Sequence, residues 1–475
     1  MAMLTRSLHA FTGMRQDRDD FIASPDTSPD ACNMRTDDGR LAVATGFSRA
    51  VPRSVPTDVT LKQLYVYAHP SGPRFLACTD TQLYVYNGGS AAWTALASFG
   101  AQVGEQLFDF LPVKIGTQDY LLIAYGREQI IKWDGTNEPT AFGSAAQLSD
   151  PSVNFIERYF GRLYAAGDPL APARLYWSQT PGGTRTIEDW SADDDSADVS
   201  GGFTDVGTDS DPITGLYALS NQLLIFKRDS LYRLLGDRPS NFRILPVDAV
   251  FSEPKHMACA RYGDRLYFLS DAGLCFFDGQ TVRRPASYRA LHRLLQACDL
   301  SRCEAAVSGD TLYFAVRETA GPYNDLLIEY SPVRDAFMVR RGFRIAGLCA
   351  ARGKLYALTD ARYVVVFDGS ADYDGAPIDA WWETPRIDLG SKLHRKALGE
   401  LACTGAGDPA HVAVLCGGNR YDSVLTFPPH ADAVAETVLR GEGRVFRLRF
   451  ENRNGSAFTI DTGVTLRFES QARPE

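Results

Sequence analysis

The chain has 475 residues, 23% of them charged and 45% hydrophobic, with a formal net charge of -9. That length can bury large cores and hold two or three domains, and the acidic balance argues against a chain that wraps nucleic acid as a basic binder. No run approaches the roughly 18 apolar residues of a membrane helix, and the opening MAMLTRSLHAFTGMRQ lacks an apolar signal core. The expectation is a chain folded in the cytoplasm, with no membrane span. Nine cysteines, an odd number with no CxxC pair, read as free buried thiols of a reducing compartment.

Residues 1 to about 38 are polar and turn-rich, with Asp17, Asp19, Asp20, Pro25, Asp26 and Pro29. Such a stretch builds no core of its own and reads as an arm, extended or laid across another surface. Asn33 to Leu41 reads as a hairpin around Asp38-Gly39. Leu41 to Phe47 is a candidate strand for closing the ring described next. The first unit is therefore 1–54, an arm and a first hairpin.

From 55 to 375 one pattern repeats. Gly263 to Gly279 reads GDRLYFLSDAGLCFFDG: two short apolar runs, joined by a polar turn and ended by Asp-Gly, which is a β-hairpin. The runs are too continuously apolar for strands wet on one face and suit strands covered on both. Aligned positions Leu76, Leu122, Tyr164, Leu224, Tyr267, Tyr313 and Tyr356 lie 46, 42, 60, 43, 46 and 43 residues apart. A period in the forties with several strands per repeat predicts propeller blades, about seven of them. Tyr267, Tyr313 and Tyr356 read as inter-blade packing. The long spacing marks an insertion near 179–211, rich in Gly, Ser, Thr and Asp, expected as a rim loop without a core. Tyr288, Leu291, Leu294, Leu295 and Cys298 share one helical face after Pro285, which predicts a helix.

After Gly369 the texture changes. Val445 to Phe450 and Val464 to Phe468 alternate apolar and polar, as strands with one wet face do. Residues 376–475 are expected to form a β-sandwich. The whole is all-β: a propeller of about seven blades followed by a sandwich-like domain.

Little in the chain points to chemistry. Asp193, Asp194, Asp195, Asp198, Asp205, Asp209 and Asp211 are hard oxygen ligands, but no stretch has the EF-hand spacing. The seven histidines form no HExxH, and there is no GxSxG elbow or P-loop. No catalytic, cofactor or metal residue is assigned. The candidate interface residues are Trp190, Asp193, Asp194 and Asp195 in the insertion and Trp381 and Trp382 at the start of the last domain. Lys392, His394, Arg395 and Lys396 form a short basic run that reads as a solvated face.

The order of parts resembles the nozzle or tail-hub proteins of short-tailed bacteriophages, which combine a propeller with added β domains. The polar arm followed by Asn33-Met34-Arg35-Thr36-Asp37-Asp38-Gly39 is similar to theirs. So is Arg174-Leu175-Tyr176-Trp177-Ser178 followed by Glu188-Asp189-Trp190, although the insertion Gln179 to Ile187 is longer than that pattern leads one to expect. The resemblance implies a non-enzymatic virion protein, assembled in the host cytoplasm into a ring, commonly of six subunits. The ring would lie below the portal and adaptor, and DNA would pass through it without specific binding. Two alternatives stay open on the residues alone: a monomeric propeller that binds a protein or glycan, and a propeller glycoside hydrolase with paired carboxylates.

Overall fold

The structure is a computed structural model that describes residues 3–19, 21–98, 107–126, 129–143, 153–191, 196–248, 258–270, 273–430 and 433–471. Among these residues, seven four-stranded antiparallel sheets follow one another along the chain. Blade 1 spans 63–98, blade 2 109–141, blade 3 155–205, blade 4 213–247, blade 5 259–283 and blade 6 299–340. Blade 7 takes three strands from 345–366 and its fourth, Ser48–Arg49, from the other end of the chain.

The continuous apolar runs are explained by where alternate residues go. In blade 2, Leu121 and Ile123 pack on Leu76 and Val85 of blade 1, while Leu122 packs towards Leu163 and Ala165 of blade 3. In blade 3, Tyr164 turns the other way, to Leu223 and Ile225 of blade 4. Leu224 and Phe226 then meet Leu266 and Phe268 of blade 5. Tyr267 lies 6.0 Å from Tyr330 of blade 6, and Tyr356 and Leu358 of blade 7 return to Phe75 and Ala77 of blade 1. The circle closes: a period-two strand with both faces dry carries apolar residues at successive positions.

The turn in blade 5 shows how tightly this is built. Gly273 has φ +110, and a Cβ there would come within 2.2 Å of the Tyr288 carbonyl oxygen. The segment holding Tyr288 continues into a helix at His292–Ala297, with Leu294 and Leu295 buried. The helix is shorter than its apolar spacing predicts, because Leu291 sits at the cap with non-helical angles.

The N-terminal segment is not an appendage. Met3–Leu8 pairs antiparallel with Val464–Gln471, Asp30–Cys32 with Trp381–Glu383, and Leu41–Val43 with Phe458–Ile460. Two five-stranded sheets and one of four strands thus mix strands from both chain ends into the C-terminal domain. The hairpin around Asp38-Gly39 is present, Met34–Arg35 pairing with Leu41–Val43. Leu41–Val43, expected in the last blade, belongs instead to this domain; Ser48–Arg49, a few residues on, closes the ring. The arm looked coreless because its apolar residues, such as Phe11, Met14 and Ala31, are few and far apart. They fill a core that the other end of the chain supplies.

The insertion at 179–211 also departs from expectation. Gly202–Asp205 is the outer strand of blade 3, and Ile187 and Trp190 are buried against blade 2. The loop is anchored by Arg162, a fully buried arginine. Its guanidinium donates to the carbonyls of Ser178 and Ser200 at 2.7 Å each and to that of Asp198. Burying an unpaired charge is costly unless its donors are satisfied, and here carbonyl oxygens satisfy both terminal nitrogens of the guanidinium.

Candidate functional site

The first strands of neighbouring blades pack side by side around the centre of the disc. Several carry a polar side chain that reaches the backbone of the next blade. Gln63 of blade 1 donates to the Phe108 carbonyl at 2.8 Å and accepts the Phe108 N–H at 2.8 Å. Asp109 of blade 2 accepts from the Ile156 N–H at 2.8 Å. Glu157 of blade 3 accepts from the Ala218 N–H at 3.0 Å. Glu304 of blade 6 accepts from the Leu348 N–H at 2.5 Å. From blade 7 the approach is backbone to backbone: a Cβ on Gly347 would fall 2.1 Å from the Leu64 nitrogen of blade 1.

These groups are fasteners. Inner strands have backbone donors facing the neighbouring blade, and a buried N–H without a partner is costly. A carboxylate or amide from the blade before supplies that partner. Burial pushes the Glu304 carboxyl up to about 8, against the opposing pull of the Leu348 N–H and of Arg302. Burial likewise pushes the thiols of Cys259 and Cys349 up to about 12. A protonated carboxyl can act as a general acid only where a substrate reaches it, and Glu304 is 2% exposed. Thiols so far from their thiolate form are poor nucleophiles.

A second constellation sits where the propeller meets the C-terminal domain. Asn33, buried and with φ 52, uses its whole side-chain amide. It donates to the carbonyls of Arg341 and Asp379 at 3.0 and 2.7 Å. It accepts from the Arg341 N–H and the Tyr373 hydroxyl at 3.0 Å each. Arg341 in turn forms a two-point ion pair with Glu318, at 2.7 and 2.9 Å. Phe47, Phe343, Phe367 and Tyr373 cluster beside it, Phe47 stacking on Tyr373 at 5.0 Å.

Of the residues expected at interfaces, two tryptophans lie in cores. Trp190 is a core residue, 6.4 Å from Phe142 and edge-on. Trp382 is fully buried and meets Phe11 edge-to-face at 5.6 Å. Adjacent strand residues face opposite sides, so Trp381 is the one left half-buried, with the Arg449 guanidinium 4.8 Å from its ring. Asp193, Asp194 and Asp195 lie outside the described residues. Of their acidic neighbours, Asp205 pairs with Arg174 at 2.8 Å, and Asp211 accepts from the Asp229 N–H at 2.8 Å. Among the described residues, no group of three or more His, Cys, Asp and Glu is placed to hold a metal ion.

Arg162 and the axial polar residues went unread in the sequence, and Asn33 was marked only as part of the hairpin and of the resemblance. A signal for the axial residues was present: Gln63 and Asp109 open their first strands, Glu304 lies inside Asp299–Ser308, and all three sit near one position of the repeat, opposite Cys78, Ala124 and Ala315. Reading the first strand of each unit, and not only the second, exposes them.

No family model and no curated protein matches the chain. Among solved structures, it is similar to the extracellular domain of a hybrid two-component system of B. thetaiotaomicron, at 10% identity and TM-score 0.42, over 68% of this chain and 39% of that one. A second structure of that extracellular domain, described as a one-component system, matches at 11% identity and TM-score 0.42, over 81% and 46%. The chain thus spans less than half the length of either. A chain of the mitotic checkpoint complex matches at 12% identity and TM-score 0.42, over 68% of this chain and 92% of that one.

Proposed function

We propose that the chain is a non-enzymatic structural protein of a short-tailed phage tail, assembled with copies of itself into a ring around the path of the genome. The observation that carries this reading is where the residues of the resemblance fall. Asn33 clamps the two domains together. The Ser178 hydroxyl accepts from the Leu163 N–H at 3.0 Å, and its carbonyl receives Arg162. Glu188 pairs with Lys132 of blade 2, and Trp190 fills the wedge between blades 2 and 3. A short motif shared by structural proteins is expected at positions that hold a common architecture, and these residues hold this one. The net charge of -9 suits a conduit that should not retain DNA, since like charge opposes phosphate contact.

Mass photometry of the purified chain with negative-stain imaging tests the proposal. A closed ring with a central opening, of six subunits as the resemblance implies, supports it. A monodisperse monomer at every concentration overturns it in favour of a single binding module. Turnover of a glycan panel would favour the hydrolase.

A further inference from the structure

Blade 6 is two-faced. On one side, Leu312, Phe314, Ile328, Tyr330 and Val339 are buried apolar residues of the largest core. The other side is the floor of a partly open cavity of about 280 Å³. There Tyr313, Glu329 and Met338 align across three strands, with Thr311 and Ser331 beside them. The N-terminal segment roofs the cavity with Arg35, Thr36, Asp37 and Thr45. Inter-blade wedges elsewhere in the ring are filled by apolar side chains.

The charges do not cancel. Arg340 pairs with Glu329 at 2.5 Å and also donates to the Thr45 carbonyl. That pair is neutral. Arg35 and Arg334 both pair with Asp37, at 3.7 and 2.9 Å. Two guanidinium groups on one carboxylate leave one positive charge beside a cavity floored by the hydroxyls of Thr311, Tyr313 and Ser331. Planar guanidinium groups next to hydroxyl donors suit an oxyanion, which accepts from both.

We propose that this cavity binds a small oxyanion, a phosphate or carboxylate group on a molecule no larger than a sugar phosphate. The bound group would join the roof to the blade, so it would stabilise the seam between the N-terminal segment and the propeller. It does so independently of whether the chain assembles into a ring.

Thermal unfolding of the full chain tests this, with inorganic phosphate or acetate raised to roughly tens of millimolar against sodium chloride at matched ionic strength. A ligand that binds only the native state raises the midpoint as its concentration passes Kd. The expected result is a saturable rise with phosphate or with acetate beyond that with chloride, the larger response naming the oxyanion. Arg334→Gln should raise the half-saturating concentration about tenfold, as loss of one charged hydrogen bond would. Arg334 also donates to the Thr36 carbonyl at 2.7 Å, so its variant can lose the fold. Thr311→Val, which removes a floor hydroxyl and leaves the roof intact, should raise that concentration several-fold. No rise beyond chloride with either anion would overturn the proposal. So would curves for Thr311→Val that coincide with those of the wild type.

Discussion

Asn33 and the backbone of Arg341 bond in both directions, Nδ2 to the carbonyl and the N–H to Oδ1, each at 3.0 Å. An asparagine amide here does the work of a β-bridge residue, while its own backbone stays in the left-handed region at φ 52. Asn tolerates that region better than most residues. Asn33→Ala loses four hydrogen bonds and adds backbone strain, so it should destabilise the protein by about 2–4 kcal/mol in urea denaturation. Asn33→Gly relieves the strain without restoring the bonds and should fall between alanine and wild type. Equal midpoints for the two variants would mean that strain plays no part.

The recurring tyrosines are not equivalent. Tyr267 is 2% exposed, with Phe276 at 5.3 Å and Tyr330 at 6.0 Å. Tyr267→Ala should cost about 3–5 kcal/mol, the range for a large core aromatic. Tyr313, in the same register, borders the polar cavity of blade 6 and is partly exposed. Tyr313→Ala should cost less than half as much. Chemical denaturation of both variants gives the comparison, and equal losses would contradict it.

Glu304 predicts a specific pH dependence. Its native carboxyl titrates near 8, above the ordinary 4.5. Below pH 4.5 both native and unfolded forms hold the proton. Between 4.5 and 8 the unfolded chain releases it first, so rising pH disfavours the native state by up to about 1.4 kcal/mol per unit, and the effect levels off above 8. Glu304→Gln keeps an acceptor for the Leu348 N–H and cannot ionise. Its stability relative to wild type should therefore grow between pH 5 and pH 8.5. A gap that does not change with pH would show that Glu304 ionises freely in the fold.

Arg162 carries the fourth structural claim. Arg162→Met should destabilise the chain by about 2–4 kcal/mol, because three carbonyls, two of them buried, lose their donor. Its first consequence should be local: faster amide exchange in Gly202–Asp205, the strand the arginine holds in place. Exchange there at the wild-type rate would mean that the insertion is held by other contacts.

The blades were legible in the sequence because each supplies both of its apolar faces locally. Leu121, Leu122 and Ile123 announce a strand with no wet side whatever their partners are. The N-terminal segment was not legible for the opposite reason. Met3–Leu8 is largely exposed and meets strand partners more than 450 residues away in the chain, so no local pattern marks it. The insertion was misread because Gly, Ser and Asp dominate its composition, while the apolar residues that fix it, Ile187, Trp190 and Val206 among the described residues, are few. The buried Arg162 looked like any turn arginine, since Gly161-Arg162 opens a hairpin. Trp381 and Trp382, both named as interface candidates, fall on opposite faces of their strand, Trp382 fully buried in the domain core and Trp381 half-buried.

The central structural claim is that one N-terminal segment completes both domains, through Met3–Leu8, Asp30–Cys32 and Leu41–Val43 in one and Ser48–Arg49 in the other. Deleting residues 1–49 and following unfolding by circular dichroism tests it most directly. The account predicts an insoluble chain or one without a cooperative transition, because blade 7 and all three sheets of the C-terminal domain lose strands. A soluble truncated chain that unfolds cooperatively at the wild-type midpoint would contradict it.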